Sequence, residues 1–236
     1  MHTNPRVPQQ RLISVLDATL LDDDVDQAKM QGFLERIAGS GVAAVCIQAP
    51  WVRMAQDMLQ GQCAVASVVN FPEGYGGPDD AGQEAAVLAA LGIDEIDVVV
   101  PIDTLAHDDG LAIRWTVEAV REAAPKAVIK AILETGALES SHRIAQAAGA
   151  AIAGGADFLK TSTGRHAIGA TPEAVGTLLR VMLSVPGKIG LKVSGGVGDI
   201  EAATAYWCQT EDAMGAQWCH KKRFRIGASR LLDHLL

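Results

Sequence analysis

The stretch Asp157-Phe158-Leu159-Lys160-Thr161-Ser162-Thr163-Gly164-Arg165 sets one lysine inside an apolar strand that runs straight into a polar, glycine-bearing turn. Phe158 and Leu159 flank the amine as a buried strand requires. An ammonium held there is costly unless it is paired, deprotonated or used. The hydroxyls, flexible backbone and guanidinium of the turn suit a phosphate. Standing alone, such a lysine would be read as a side chain whose tip reaches an acid or solvent. Lys160 does not stand alone.

Outward from this stretch, short apolar strands alternate with amphipathic helical segments along the whole chain. Strands are predicted at 12–17, 42–48, 64–70, 95–101, 127–134, 157–161, 189–193 and 224–227. Each begins roughly 20 to 35 residues after the last, the length of one strand-helix unit. Helix starts are marked at Asp79-Asp80 and at Thr171-Pro172-Glu173, where a capping hydroxyl precedes a first-turn proline and an acid. Between 111 and 122, Leu111, Trp115 and Ala119 recur at helical spacing opposite Arg114, Glu118, Arg121 and Glu122. Residues 209–222 are the least patterned and read as a loop or an extra helical turn. Residues 1–10 read as a flexible terminus, and 11–236 as a single domain.

A doubly wound open sheet would share this alternation. The placement of polar residues favours a closed (βα)8 barrel, in which reactive side chains gather from several strands at or near their carboxyl ends. Asp17 ends the first predicted strand, Cys46 lies late in the second and Asn70 ends the third. Asp97 interrupts the fourth, and Lys130 and Glu134 belong to the fifth. Lys160 and Lys192 belong to the sixth and seventh. Three lysines and several acids therefore point to one lumen.

Hydrophobic residues make up 49% of the 236 and charged residues 20%, enough for a sizeable core. The formal net charge of -8 disfavours a nucleic-acid surface, so any phosphate site must be local. Cys46, Cys63, Cys208 and Cys219 have no metal-ligand spacing, and reduced thiols in a cytoplasmic protein are the expectation. No apolar run reaches the roughly 18 residues of a membrane span. His166, in the polar turn after Arg165, reads as a solvent-facing loop residue rather than a base; His107, His142, His220 and His234 have no ligand spacing, and no metal is expected. Asp22-Asp23-Asp24 reads as a solvated helix start, and Lys221-Lys222-Arg223 as a small charged face. No dinucleotide fingerprint or nucleotide-binding loop is present.

Two lysines on neighbouring strands lower each other's proton affinity. Together with burial, this brings one amine toward the range where its neutral form attacks a carbonyl to give a Schiff base. The iminium draws electrons from the adjacent carbon, whose bond can then break or lose a proton. Asp97 is placed to move that proton. Lys130 with Asp97 reads equally well as a structural ion pair. The turn after Lys192, Val193-Ser194-Gly195-Gly196, and the turn Gly227-Ala228-Ser229-Arg230 both offer backbone amides to an anion after the last two strands.

These motifs, taken in order, resemble the deoxyribose-phosphate aldolase family. The match runs from about Leu16 to Leu232 through Leu16-Asp17-Ala18-Thr19-Leu20, Val45-Cys46-Ile47 and Val69-Asn70-Phe71-Pro72-Glu73-Gly74. It continues through Glu95-Ile96-Asp97-Val98-Val99, Ile132-Leu133-Glu134-Thr135-Gly136, Lys160-Thr161-Ser162-Thr163-Gly164, Leu191-Lys192 with Gly195-Gly196, and Arg225-Ile226-Gly227-Ala228-Ser229.

The resemblance implies a (βα)8 TIM barrel and cofactor-independent class I chemistry. The implied reaction is reversible cleavage of 2-deoxy-D-ribose 5-phosphate to D-glyceraldehyde 3-phosphate and acetaldehyde. It implies that Lys160 forms the Schiff base, Lys192 perturbs its acidity and Asp97 serves the proton relay. Asp17, Thr19, Cys46 and Lys130 fall on substrate-pocket positions. Gly164, Arg165, Gly195, Gly196 and Ser229 fall on the phosphate end, and Thr163 and Gly227, in the same turns, are expected to bind substrate with them.

Arg165 stands where lysine is common, Val193-Ser194 replaces a more usual Pro-Ala, and Arg230 takes a place that is serine in some members. The chain also stops at Leu236, without the tyrosine-ended tail of some members. The partners implied are small phosphosugars and aldehydes, with no nucleic acid or membrane, and a homodimer is expected. Two rivals remain: a barrel aldolase preferring another phosphosugar or an unphosphorylated aldehyde, and a non-catalytic phosphosugar-binding barrel.

Overall fold

The computed structural model describes residues 7–185 and 187–235; the expected flexible terminus therefore lies largely outside the described residues. Eight parallel strands close into one barrel in sequence order. They are β1 (Leu16–Leu20), β2 (Ala44–Ile47), β3 (Ala64–Val69), β4 (Glu95–Val99), β5 (Val128–Ile132), β6 (Phe158–Lys160), β7 (Gly190–Ser194) and β8 (Phe224–Ala228). Closure is made where Leu16, Asp17 and Ala18 of β1 pair with Ile226, Gly227 and Ala228 of β8. The open-sheet alternative is thereby excluded.

Period-two alternation explains the layers. In β4 and β5, Ile96, Val98, Ile129 and Ala131 join the large core shared with the surrounding helices, while Asp97 and Lys130 take the opposite face. Helical stripes such as Met30, Leu34 and Ile37, or Ile144, Ala147, Ala148 and Ala151, cover the outside of the sheet. Thr171 caps Pro172–Ser184 by accepting from the Ala174 amide, as its sequence implies.

Four expectations are corrected. Gln9–Ile13 form a short helix, so Leu12 and Ile13 are helical, and β1 starts at Leu16 with Asp17 near its beginning rather than its end. The helix Leu111–Ala123 buries Ile113, Thr116, Val117 and Val120, whereas Leu111 and Trp115 are 46% and 52% exposed. Two apolar stripes fit the helical period there, and the one rich in β-branched residues faces the barrel. Residues 209–214 complete the helix Ile200–Met214, so only the remainder of 209–222 is irregular. Asn70 leaves the lumen: in a left-handed conformation it pins its own loop, its amide side chain bonding Gly76 and the Val99 carbonyl.

Candidate active site

Register brings the charged residues together. Asp97 pairs with Lys130 across β4 and β5, Lys160 with Lys192 across β6 and β7, and Lys192 with Arg225 across β7 and β8. All point inward because each lies in register with an inward-facing neighbour. Asp97 is the hub. Its Oδ1 accepts from Lys130 Nζ at 2.8 Å, and its Oδ2 accepts from Lys160 Nζ at 2.8 Å and from Lys192 Nζ at 2.7 Å. One oxygen therefore bridges two amines, which places them within the range where one cation weakens the other's hold on its proton.

A second tier anchors the hub. Asp17 stands 2.6 Å from Lys192 and 2.5 Å from Arg225, and Glu95 stands 2.5 Å from Lys130 and 2.6 Å from Arg225. Single unpaired charges at this depth would each be destabilising by several kcal/mol. Here every carboxylate meets at least two cations.

The ion contacts link three carboxylates (Asp17, Glu95 and Asp97) with four cations (Lys130, Lys160, Lys192 and Arg225). Charge balances when one of the four gives up its proton. Burial pushes the Lys160 amine below the ordinary lysine value; Asp97 pulls it upward, and the Lys192 charge adds to the depression. For Lys192 burial acts the same way but is outweighed by Asp17 and Asp97, so its amine is raised and stays charged. Lys130 is raised too, because Asp97, Glu95 and Asp17 overcome its burial. Burial likewise opposes the ionised form of Asp97, yet Lys130, Lys160 and Lys192 hold it well below the usual carboxylate range. Of the four cations, Lys160 is thus the one that gives up its proton most readily. Crowding by Lys192 contributes, but removal from water is the larger cause.

The lumen is uneven. Beside the charges, Cys46 and Ala66 pack with Leu21, Val68 and Phe71 in a small apolar cluster. The Cys46 sulfur lies 3.9 Å from Asp97 Oδ2, and burial raises its thiol, which keeps it neutral.

Above the network opens a cavity of about 330 Å³. Of the charged groups just described, Lys160 alone lines it. Asp17, Cys46 and Lys130, expected at the substrate pocket, are fully buried and lie beneath it. All three belong to the lumen, but the positions for which the resemblance implies substrate contact lie below the cavity wall, at a depth that a single strand's sequence does not reveal. Thr19 does line the cavity, its hydroxyl turned back to the Asp17 carbonyl at 3.0 Å.

The rest of the wall is the expected phosphate end: Thr163, Gly164, Arg165, Gly195, Gly196, Gly227 and Ser229 all line the same cavity. Gly195 and Gly196 adopt φ values of +82° and +84°, a left-handed pair natural to glycine, and their amides have no protein acceptor among the described residues. Thr163 is already engaged, since its amide and hydroxyl both donate to Glu134 Oε2, at 3.0 and 2.5 Å. It shapes the turn, its hydroxyl oxygen also accepting from the Arg165 amide at 3.1 Å, and leaves the Gly164 backbone to the cavity. Arg165 reaches across the mouth to the Leu21 carbonyl at 2.5 Å, over the Phe71 ring. Arg230 also lines the cavity, so two exposed guanidinium groups face it. Gly227 has a different task. A Cβ there would sit 2.9 Å from Lys192 Cε, so its absence gives the Lys192 stem its path.

Sequence reasoning passed over Arg225 and Glu95 as site residues. The signal was present: Glu95 and Asp97 share a face by period two, and Arg225 interrupts the apolar pair Phe224 and Ile226 as Lys130 interrupts its own strand.

Comparison with known proteins agrees with this geometry. The family model for DeoC/LacD aldolases matches residues 11–233. A protein from Agrobacterium fabrum named deoxyribose-phosphate aldolase is 37% identical over 239 residues, covering 98% of this chain and 92% of its own. A crystal structure from Coccidioides immitis, assigned as a deoxyribose-phosphate aldolase, superposes with a TM-score of 0.85 at 29% identity, covering 98% of this chain and 87% of that one. One from Toxoplasma gondii with the same assignment gives 0.87 at 26% identity, covering 96% and 94%.

Proposed function

The chain belongs to the DeoC/LacD family of aldolases, and from that premise we propose that Lys160 carries a class I aldol cleavage of 2-deoxyribose 5-phosphate. The enzyme is an aldolase of the deoxyribose-phosphate type, a carbon-carbon lyase. The observation that carries the residue assignment is that Lys160 is both the one network amine on the cavity wall and the one whose proton affinity is depressed.

The neutral Lys160 nitrogen attacks the aldehyde carbon of the open-chain sugar. The carbinolamine oxygen takes a proton passed through Asp97 from charged Lys192 and leaves as water, giving the iminium. The 3-hydroxyl then gives up its proton to the network, the bond between carbons 2 and 3 breaks, and its electron pair flows into the iminium as an enamine. Glyceraldehyde 3-phosphate departs. Protonation of the enamine carbon and hydrolysis release acetaldehyde and restore the amine. Asp97 suits the relay because its Oδ2 already touches both nitrogens. The 5-phosphate is held by the Gly195-Gly196 amides and by Arg165 and Arg230, which match an anion in charge and fork geometry.

We assign the preference to the phosphorylated sugar over the free one on those same groups. Cleavage rates of 2-deoxyribose with and without the 5-phosphate test it. Equal kcat/KM values would replace this substrate with an unphosphorylated aldehyde. Reductive trapping with acetaldehyde tests the chemistry, with the tagged peptide expected to contain Lys160; binding of the sugar phosphate without any tagging would favour a binding protein. A homodimer in the cytoplasm completes the proposal, on the general prevalence of two-fold assemblies and on four free thiols. Sedimentation at equilibrium tests the dimer.

A further inference from the structure

Beneath the amine that meets the substrate lies a pair of charges to which no step of the reaction has yet been tied. Arg225 is 5% exposed and forks onto Glu95, with Nη2 at 2.6 Å from Oε1 and Nη1 at 3.2 Å from Oε2. The same Nη1 reaches Asp17 Oδ1, Nε donates to the Lys221 carbonyl, and the guanidinium lies over the Phe158 ring. Glu95 Oε2 in turn stands 2.5 Å from Lys130. Neither Arg225 nor Glu95 touches Lys160 or the cavity.

We propose that Arg225 and Glu95 are positioning residues for the aldol reaction, a fixed ion pair at the floor of the lumen that sets the charge count above it and so selects Lys160 as the uncharged amine. This inference rests on the Schiff-base reading above. Three features of the arrangement support it. Arginine keeps its charge at any pH of interest, so the floor holds a cation that cannot take part in proton sharing. Through Asp17 it fixes the carboxylate that grips Lys192, and through Glu95 the one that grips Lys130; both lysines are thereby committed as cations. Lys160 alone has no carboxylate except the shared Asp97.

On the cavity side, Asp22, Arg165 and Arg230 share the wall with Lys160; the remaining titratable groups around it lie in the lumen. Asp17 comes from β1, Cys46 from β2, Glu95 and Asp97 from β4, Lys130 from β5, Lys192 from β7 and Arg225 from β8; β3 supplies no titratable side chain. Glu134, just beyond β5, is also buried, but it is bonded to Thr163 rather than to any of these cations.

The test is a charge-compensation cycle read by pH. The rate at which acetaldehyde and cyanoborohydride tag Lys160 is followed by intact mass across pH for wild type, Arg225→Met, Glu95→Gln and the double variant. Loss of the Arg225 charge makes the lumen more negative, so Lys160 holds its proton longer and the half-point of the profile moves up by about one pH unit. Loss of the Glu95 charge moves it down by a similar amount, and the double variant returns close to wild type. Arg225→Lys keeps the charge and is expected to keep the profile while kcat falls. Should Arg225→Met fail to fold, Glu95→Gln against the double variant makes the same comparison. Profiles with unchanged half-points, including a loss of rate without a shift, overturn the proposal while leaving the Schiff base intact. A wild-type protein that is never tagged at Lys160 overturns the functional reading and this inference with it.

Discussion

The floor and the mouth of the barrel are built on opposite principles. On the floor, seven charged side chains from six strands are buried and each is paired. At the mouth, the cavity is walled by left-handed glycines whose amides have no partner among the described residues and by exposed arginines on loops. The floor is preorganised before any substrate arrives and sets which amine releases its proton most readily. The mouth keeps hydrogen-bonding capacity in reserve for an anion. Lys160, the last residue of β6, sits on the boundary, buried like the floor yet open to the cavity.

If that division holds, the largest effect comes from removing the boundary residue. Lys160→Met is expected to abolish tagging and lower kcat by about four orders of magnitude or more, as loss of a covalent nucleophile does; steady-state cleavage assays measure it. Next is Asp97→Asn, expected to reduce kcat by about 10²- to 10⁴-fold through loss of the relay. The sign of its pH effect is informative. Asp97 raises the proton affinity of Lys160, so its neutralisation should move the tagging profile to lower pH even as turnover falls. A floor change that damages chemistry while making the amine easier to deprotonate would separate the two duties of one carboxylate.

A mouth change should look different. Arg165→Ala is expected to raise KM for the phosphorylated sugar by about 10- to 100-fold, the loss of one charge-assisted contact, while leaving the tagging profile and the rate with free deoxyribose in place. A shifted profile would mean that the mouth is electrically coupled to the floor. The smallest effect is expected from Ser229→Ala, a few-fold rise in KM for the phosphorylated sugar only, the scale of one neutral hydrogen bond.

The same division governs what could be read from the sequence. Charged residues inside apolar strands are conspicuous, so the barrel and most of its floor were legible from Asp97, Lys130, Lys160 and Lys192. Depth was not: the resemblance implies pocket positions for Asp17 and Lys130, and nothing in a single strand reports its stagger against its neighbours. Arg225 and Glu95 are less conspicuous, because only the strand face that each takes, Glu95 with Asp97 and Arg225 in register with Lys192, ties it to the network. At the mouth, Thr163 looked like a ligand for phosphate, yet a hydroxyl in a polar turn gives no sign that Glu134, 29 residues earlier, will claim it. On the outer surface, Leu111 and Trp115 show that an apolar stripe at helical spacing can face solvent when a second stripe, Ile113, Val117 and Val120, is better suited to the barrel.

The central claim is that one amine in this lumen is neutral while its neighbours remain charged. It is tested most directly by titrating the lysine side chains by NMR with isotope-labelled lysine, assigning the buried signals through Lys160→Met and Lys192→Met. The account predicts a Lys160 signal that loses its proton below the ordinary lysine range, while Lys192 and Lys130 stay protonated above it. A Lys160 that keeps its proton as long as an exposed lysine does, or a Lys192 that releases its own first, would contradict it.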